Sequence, residues 1–210
     1  MKRILMTVLS CILIIGMTTC GSQNKNSNTN ESNQDSNTEK VSGDNATAKY
    51  FKIFNSGNYH LKAKMVGDGQ ATTMEIFMKD KNDMATIVDV QGAKMKTILK
   101  DNKMYIVNDA TKTIMITKIP QSVKDNGGIK TDGMALAGSG TAEFNGKTLP
   151  YEEYSNKEGI KTQYFLDGAK LVGIRNITEG MVMDMIILEM DENVPGNVFD
   201  IPSGYKNMEY

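Results

Sequence analysis

Hydrophobic and polar residues alternate along most of the chain after residue 58, and this period-two pattern predicts β-strands. In the first stretch Tyr59, Leu61 and Met65 fall on one face, and His60 and lysines fall on the other. The pattern recurs around 73–79, where Phe77 interrupts the polar side, and again over 93–100. Similar runs predict further strands at Lys103 to Asn108, Thr113 to Ile119, Thr141 to Asn145, Tyr151 to Asn156, Lys161 to Leu166, Lys170 to Ile177 and Met181 to Met190.

Short turn sequences separate these runs at regular intervals, among them Asp101-Asn102, Asn145-Gly146 and Asp167-Gly168. Evenly spaced short strands joined by such turns are typical of a sandwich, a barrel or a large antiparallel sheet. We therefore expect a mainly β domain over residues 49–210, and its length suits one core.

Two segments depart from the strand pattern. Asn45 to Asn55 predicts one short helix, capped by Asn45 and stopped by Ser56-Gly57. Gln121 to Gly140 is rich in glycine and contains one short apolar piece, which predicts either a mobile loop or a short covering helix. The glycines do not form a phosphate-binding motif.

The start of the chain has a different pattern. Lys2 and Arg3 precede an apolar run, Ile4 to Ile15, that is too short to span a bilayer. Small residues follow and lead to Cys20, so residues 1–19 predict a secretory signal. This arrangement resembles a bacterial lipoprotein signal, in which the cysteine is acylated and becomes the new N-terminus.

Cys20 is the predicted lipidation site, although an ordinary signal peptide with a cysteine near its cut is the alternative. Thr19 stands where the lipoprotein pattern prefers glycine or alanine, while Cys11 lies inside the apolar run. If Cys11 leaves with the signal, Cys20 is an unpaired exported thiol, and acylation with palmitate-type chains explains its presence.

Residues 20–48 are almost entirely polar, rich in serine and asparagine, and predict a disordered tether. Removal of Lys2 and Arg3 with the signal leaves 22 basic and 25 acidic residues, a net charge of −3. Because the basic residues are scattered, we expect no nucleic-acid partner. The location expected is extracytoplasmic, at the membrane of a Gram-positive bacterium, given the Lys/Asn bias and the long tether.

The order of strands and turns resembles the LolA-like superfamily of lipoprotein carriers and lipid-binding bacterial lipoproteins. The resemblance extends from about Tyr50 to the C-terminus and rests on Phe144-Asn145-Gly146-Lys147, Tyr164-Phe165-Leu166-Asp167-Gly168, Phe199-Asp200-Ile201-Pro202 and Gly204-Tyr205-Lys206. It implies a strongly curved, incomplete β-barrel whose apolar concave face is closed by helices or loops and holds acyl chains. By that analogy Gln121 to Gly140 forms part of the cover.

Methionine is abundant, with 16 residues in the chain and no tryptophan. Methionine adapts to irregular apolar shapes, as surfaces for varied hydrophobic ligands require, but it also fills ordinary cores. The residues that we expect to line a ligand cavity, if one exists, are Met65, Met74, Ile76, Met78, Met95 and Met104.

Catalytic chemistry is sparse. His60 is the only histidine, no metal-binding pattern of Cys and His is present, and Glu152 and Glu153 fall on opposite faces of a strand. We expect no enzyme, no cofactor and no metal. Two functions fit: a membrane-anchored lipoprotein that binds a lipid or acylated molecule, and an envelope protein-interaction module without a ligand.

Overall fold

The computed structural model describes residues 45–67, 70–90, 92–121, 123, 128–157, 159–178 and 181–210. The predicted signal peptide, Cys20 and most of the predicted tether lie outside the described residues. From Asn45 onward the chain contacts the sheet, slightly earlier than the predicted boundary at residue 49.

The described chain forms one helix and twelve strands in a single sheet that is not closed, which confirms the predicted mainly β class. The elements are α1 (Ala48–Ser56), β1 (Tyr59–Gly67), β2 (Gln70–Lys79), β3 (Asp83–Val90), β4 (Ala93–Lys100), β5 (Lys103–Asn108), β6 (Thr113–Lys118), β7 (Ala135–Phe144), β8 (Lys147–Ser155), β9 (Lys161–Asp167), β10 (Lys170–Thr178), β11 (Met181–Asp191), a short 3-10 helix (Gly196–Phe199) and β12 (Lys206–Glu209).

The strand order is β12-β6-β5-β4-β3-β2-β1-β11-β10-β9-β8-β7. All neighbours are antiparallel except β12, which pairs in parallel with β6. Because β1 pairs with β11, the first strand and the last but one meet at the middle of the sheet, while β12 lies at its edge.

One face of this sheet forms the main core, and we call it the inner face. Its buried side chains come from strands β1–β5 and β8–β11 and pack into one cluster with α1. A flat sheet of that width would extend far beyond a nine-residue helix, at about 4.8 Å for each strand. The sheet must therefore curl around α1, in agreement with the curved sheet that the family resemblance implies.

The outer face is covered over β2–β6 by the chain leading to β12. Phe77, which interrupts the predicted polar face of β2, lies there in a buried cluster with Phe199 of the 3-10 helix. The sequence pattern does not predict β3, because the outer face of this strand is also covered. It is buried on both faces, so Met84, Ala85 and Thr86 are consecutive buried residues without alternation.

Two predicted boundaries are wrong. The helix begins at Ala48 with Thr47 at the N-cap, so Asn45 is not the cap. Residues 135–140, predicted as loop, belong to β7, which the sequence places only from Thr141. Pairing with β8 forms this strand even though its Ala, Gly and Ser residues carry no alternating pattern. The segment before β7 is therefore shorter than predicted, and we call its described residues, 119–121, 123 and 128–134, the covering segment.

Candidate functional site

A row of side chains crosses the inner face at the end of the sheet where the β2–β3 and β4–β5 turns lie. The register places Tyr59, Met78, Met84, Leu99 and Met104 opposite one another on five adjacent strands. All five are buried at 9% exposure or less, and all belong to the main core. Four of them carry flexible aliphatic or thioether side chains, which can adapt to the shape of an apolar partner.

A cavity of about 520 Å³ lies over this row. Its apolar wall is formed by Met78, Met84 and Leu99 from the sheet and by Ile119 and Val123 from the covering segment. A volume of this size falls within the range of about 300–1,000 Å³ that small-molecule sites occupy.

The opening of the cavity is polar. Lys81, Asn82 and Asp83 contribute from the β2–β3 turn, and Asp101 and Asn102 from the β4–β5 turn. Both turns contain consecutive non-glycine residues with positive φ. The β4–β5 turn has two residues, for which hairpin geometry favours this conformation, and the β2–β3 turn has three. The site therefore combines an apolar interior with charged and amide groups at its rim.

The covering segment is fixed to α1 and the sheet at three points. The Ile129 amide donates to the Tyr59 hydroxyl at 3.0 Å, and the Thr131 hydroxyl donates to Asn55 Oδ1 at 2.7 Å. The Tyr164 hydroxyl donates weakly to Met134 Sδ at 3.6 Å. These contacts seat residues 129–134 over α1 and its neighbouring strands.

Gly128 determines how closely the segment approaches the row. Its φ is +77°, and a Cβ there would lie 2.9 Å from the Tyr59 hydroxyl and 3.2 Å from Met78 Cε. Any larger residue would have to displace the segment or those two side chains. The glycine therefore allows the main chain to close directly on the sheet beside the cavity.

Three tyrosines anchor the other part of the inner face. Burial raises the pKa of Tyr59, and the hydrogen bond from the Ile129 amide partly offsets this. Burial also raises the pKa of Tyr164, and the neighbouring Tyr154 adds to the effect. The pKa of Tyr154 is raised mainly by burial and is lowered in part by its hydrogen bond with Thr47. These rings form a fixed and packed region next to the cavity.

Glu152 joins the start of α1 to the sheet. Its carboxylate accepts hydrogen bonds from the Ala46 and Thr47 amides, the Thr47 hydroxyl and the Tyr154 hydroxyl. Sequence reasoning places Glu152 and Glu153 on opposite faces, which is correct, but it does not identify this role. The only signal available was an acidic residue facing the apolar side of a strand.

The six residues expected to line a ligand cavity all lie on the inner face. Met74, Ile76, Met78 and Met104 are buried, while Met65 and Met95 are half-buried. Met78 and Met104 share the cavity row, Met74 and Met95 share a second row, and Ile76 and Met65 lie in two others, and only Met78 lines this cavity. Four other residues line it without having been singled out as ligand-lining: Leu99 of the predicted strand β4, Met84 of the unpredicted strand β3, and Ile119 and Val123 of the covering segment.

Other chemistry is limited in the part of the chain that the structure describes. His60 stacks on Phe77 with ring centroids 4.4 Å apart, and lies 3.6 Å from Glu75 and 3.5 Å from Asp191. Among the described residues, no group of three or more His, Cys, Asp or Glu side chains could hold a metal ion. No helix in those same residues combines the length and apolar character needed to cross a bilayer.

No family model and no curated protein matches the chain. Among solved structures, it is similar to an uncharacterized conserved protein from Thermus thermophilus, with 8% identity, a TM-score of 0.49, and coverage of 78% of this chain and 99% of that one. It is also similar to the LolA superfamily protein NE2245 from Nitrosomonas europaea, with 8% identity, a TM-score of 0.42, and coverage of 74% and 96%.

A third similar structure is MucB, with 9% identity and a TM-score of 0.42. The match covers 78% of this chain but 66% of MucB, just under two thirds of that protein. The solved structures similar to this chain thus include a member of the superfamily that its sequence resembles.

Proposed function

We propose that this protein is a membrane-anchored extracytoplasmic lipoprotein that binds an apolar ligand, a lipid or an acylated molecule, between the inner face and the covering segment. The observation that carries the proposal is the cavity of about 520 Å³ whose floor is Met78, Met84 and Leu99. Burial of hydrocarbon contributes about 0.8 kcal/mol for each methylene, so about ten methylenes would contribute about 8 kcal/mol before the costs of association.

The rim and the cover fit this ligand class. Polar groups at the opening, such as Lys81 and Asp101, can solvate or bind a head group while the tail lies on the apolar floor. Ile119 and Val123 come from a segment held to the sheet side of the molecule by a few hydrogen bonds, so the ligand could enter by local displacement of that segment. The ligand-lining residues proposed from the sequence, Met65, Met74, Ile76, Met78, Met95 and Met104, extend this surface along the inner face.

The test compares two isoleucine variants of the full-length chain. Ile119→Trp fills the cavity from the covering segment, and Ile201→Trp places the same side chain at an exposed position. Each protein is purified from host membranes, examined by native mass spectrometry and extracted for lipids. We expect a bound lipid in wild type and Ile201→Trp, and at least about tenfold less in Ile119→Trp. Repeatedly empty wild-type protein, or equal lipid in all three, would contradict ligand carriage.

Anchoring through Cys20 has its own test. Cys20→Ala removes the thiol that the lipoprotein signal supplies for acylation, so we expect the variant in the culture medium or the soluble fraction. Cys11→Ala is the matched control and should stay with the membrane. Membrane retention of Cys20→Ala after a high-salt wash would argue against lipid tethering.

A further inference from the structure

The two edges of the sheet differ in how well they are protected. Within the described residues, β7 pairs only with β8, and no strand pairs with its other side. At the opposite end of the sheet, β12 has four residues, of which Lys206 and Glu209 are charged. Short edge strands and edge charges commonly protect a sheet against pairing with another chain. With ten residues, β7 is not a short edge strand.

The composition of β7 leaves its edge open to pairing. It contains no proline and no lysine, and Glu143 is its single charged residue. Its one irregularity lies near its start, between Leu136 and Gly138. Every second residue of an edge strand directs its amide and carbonyl groups away from the sheet, where another strand can bind them.

The outer face of the sheet has free space beside β7, and this space favours a partner strand with large side chains. Gly138 and Gly140 face outward there, and a Cβ on Gly138 would meet no atom within 4 Å. The Tyr151 hydroxyl lies over Gly140, 3.0 Å from the position of a Cβ. A large apolar side chain on an adjoining strand would therefore find space beside an aromatic ring, a favourable cross-strand pairing.

We propose that the free edge of β7 binds an extended segment of another protein, one that carries large apolar residues at alternate positions together with a basic residue. The charge follows from Glu143, which is the single charged residue of β7 and is exposed; Glu153 is paired with Lys161 on β9, and Glu152 is bonded to the start of α1. A second copy fits less well, because pairing β7 with itself would place like charges on two adjoining strands and align small residues that contribute little across strands. The bound segment forms a thirteenth strand through main-chain hydrogen bonds.

The test uses the full chain and a synthetic probe, the capped nonapeptide Lys-Thr-Val-Thr-Tyr-Thr-Val-Thr-Lys. Two matched probes carry N-methyl groups on either the odd or the even residues, so that each blocks the main chain on one side of the peptide. Binding is measured by fluorescence anisotropy, and amide exchange locates the bound peptide. We expect one methylated probe to bind at least about tenfold more weakly than the other, because it loses several hydrogen bonds at once. We also expect new protection of alternate amides within Ala135–Phe144 and none within Lys206–Glu209.

Charge provides a second control. Glu143→Lys should weaken binding of this basic probe severalfold, whereas Glu209→Lys on β12 should leave it unchanged. Equal binding of the two methylated probes, or protection outside β7, would overturn the proposal. Protection of β7 that rises with protein concentration in the absence of probe would assign the edge to a second copy. Protection that is lost on deletion of residues 21–44 would assign it to the chain's own segment.

Discussion

Two regions of the inner face hold their apolar residues in different ways. Under α1, Tyr59, Tyr154 and Tyr164 combine buried rings with hydroxyls that are bonded to a neighbour. On β2–β4, Met78, Met84 and Leu99 are buried without any such polar contact, and the cavity lies above them. A tyrosine hydroxyl requires one geometry, whereas a methionine accepts several. The comparison indicates a fixed core beside an adaptable surface, which the proposed binding of an apolar ligand would use.

The largest expected effect is in the tyrosine region. Phe54 is 4% exposed and packs edge to face on Tyr59 at 5.5 Å. Phe54→Ala should lower the free energy of unfolding by about 3–5 kcal/mol, because it leaves a cavity between α1 and the sheet. Lys52→Ala, exposed on the same helix, should change it by less than about 0.5 kcal/mol. Urea denaturation of both variants measures the difference, and similar values would show that α1 is not part of the fixed core.

The attachment of the covering segment to Tyr59 gives a smaller effect. Tyr59→Phe leaves the Ile129 amide without its acceptor, so we expect a loss of about 1–3 kcal/mol. Amide exchange at Ile129 should accelerate along with it. Tyr205→Phe removes a hydroxyl bonded to Lys112 and Asp109 at an exposed site, and its cost should be about 1 kcal/mol or less. An unchanged exchange rate at Ile129 in Tyr59→Phe would contradict the anchoring role.

Alkaline pH should lower the stability of the fold through the three buried tyrosines. Because burial raises the pKa of Tyr59, Tyr154 and Tyr164 in the folded state, the unfolded chain loses those protons first. The stability contribution is complete below about pH 10 and is lost as the pH rises above it. Tyr164→Phe should therefore raise the midpoint of alkaline unfolding, followed by circular dichroism. Tyr210→Phe, at an exposed position, is the control and should not move that midpoint. A lower midpoint in Tyr164→Phe would mean that the bond to Met134 outweighs the titration.

The smallest effect on stability is expected at the cavity floor. Met84→Leu conserves volume and should cost less than about 1.5 kcal/mol. If this floor adapts to its ligand, the branched side chain should narrow the range of acyl lengths recovered from the purified protein. Met115→Leu, on β6 outside the cavity lining, is the matched control. An unchanged lipid profile in Met84→Leu would count against adaptation at this position.

The sequence predicted the mainly β class because one buried face produces alternation, as in β1. The pattern did not predict a strand that is buried on both faces, or the part of a strand that is mostly exposed. Met84 to Thr86 of β3 are buried on both faces, and Gly138 to Gly140 of β7 gain their strand conformation from β8. Both depend on contacts between residues far apart in the chain, which local pattern does not contain.

The sequence predicted that a candidate site would be apolar, but not which residues would line it. Met78 could be identified from strand periodicity, since its side of β2 is apolar. Ile119 and Val123 could not, because their position depends on where the covering segment crosses the sheet. The same holds for Glu152, whose role requires the start of α1 to lie above β8.

The hydrogen bonds of Glu152 fix where the start of α1 lies relative to the cavity. Glu152 shares a cross-strand row with Met65, whereas the cavity row begins at Tyr59, six residues away along β1. At about 3.3 Å for each residue, the start of α1 and the cavity floor are separated by about 20 Å along the strand direction. If Cys20 carries the anchor and the cavity holds the ligand, as proposed, the attachment to the membrane and the bound ligand lie at opposite ends of the sheet. The ligand would then be held on the side of the domain that faces away from its attachment.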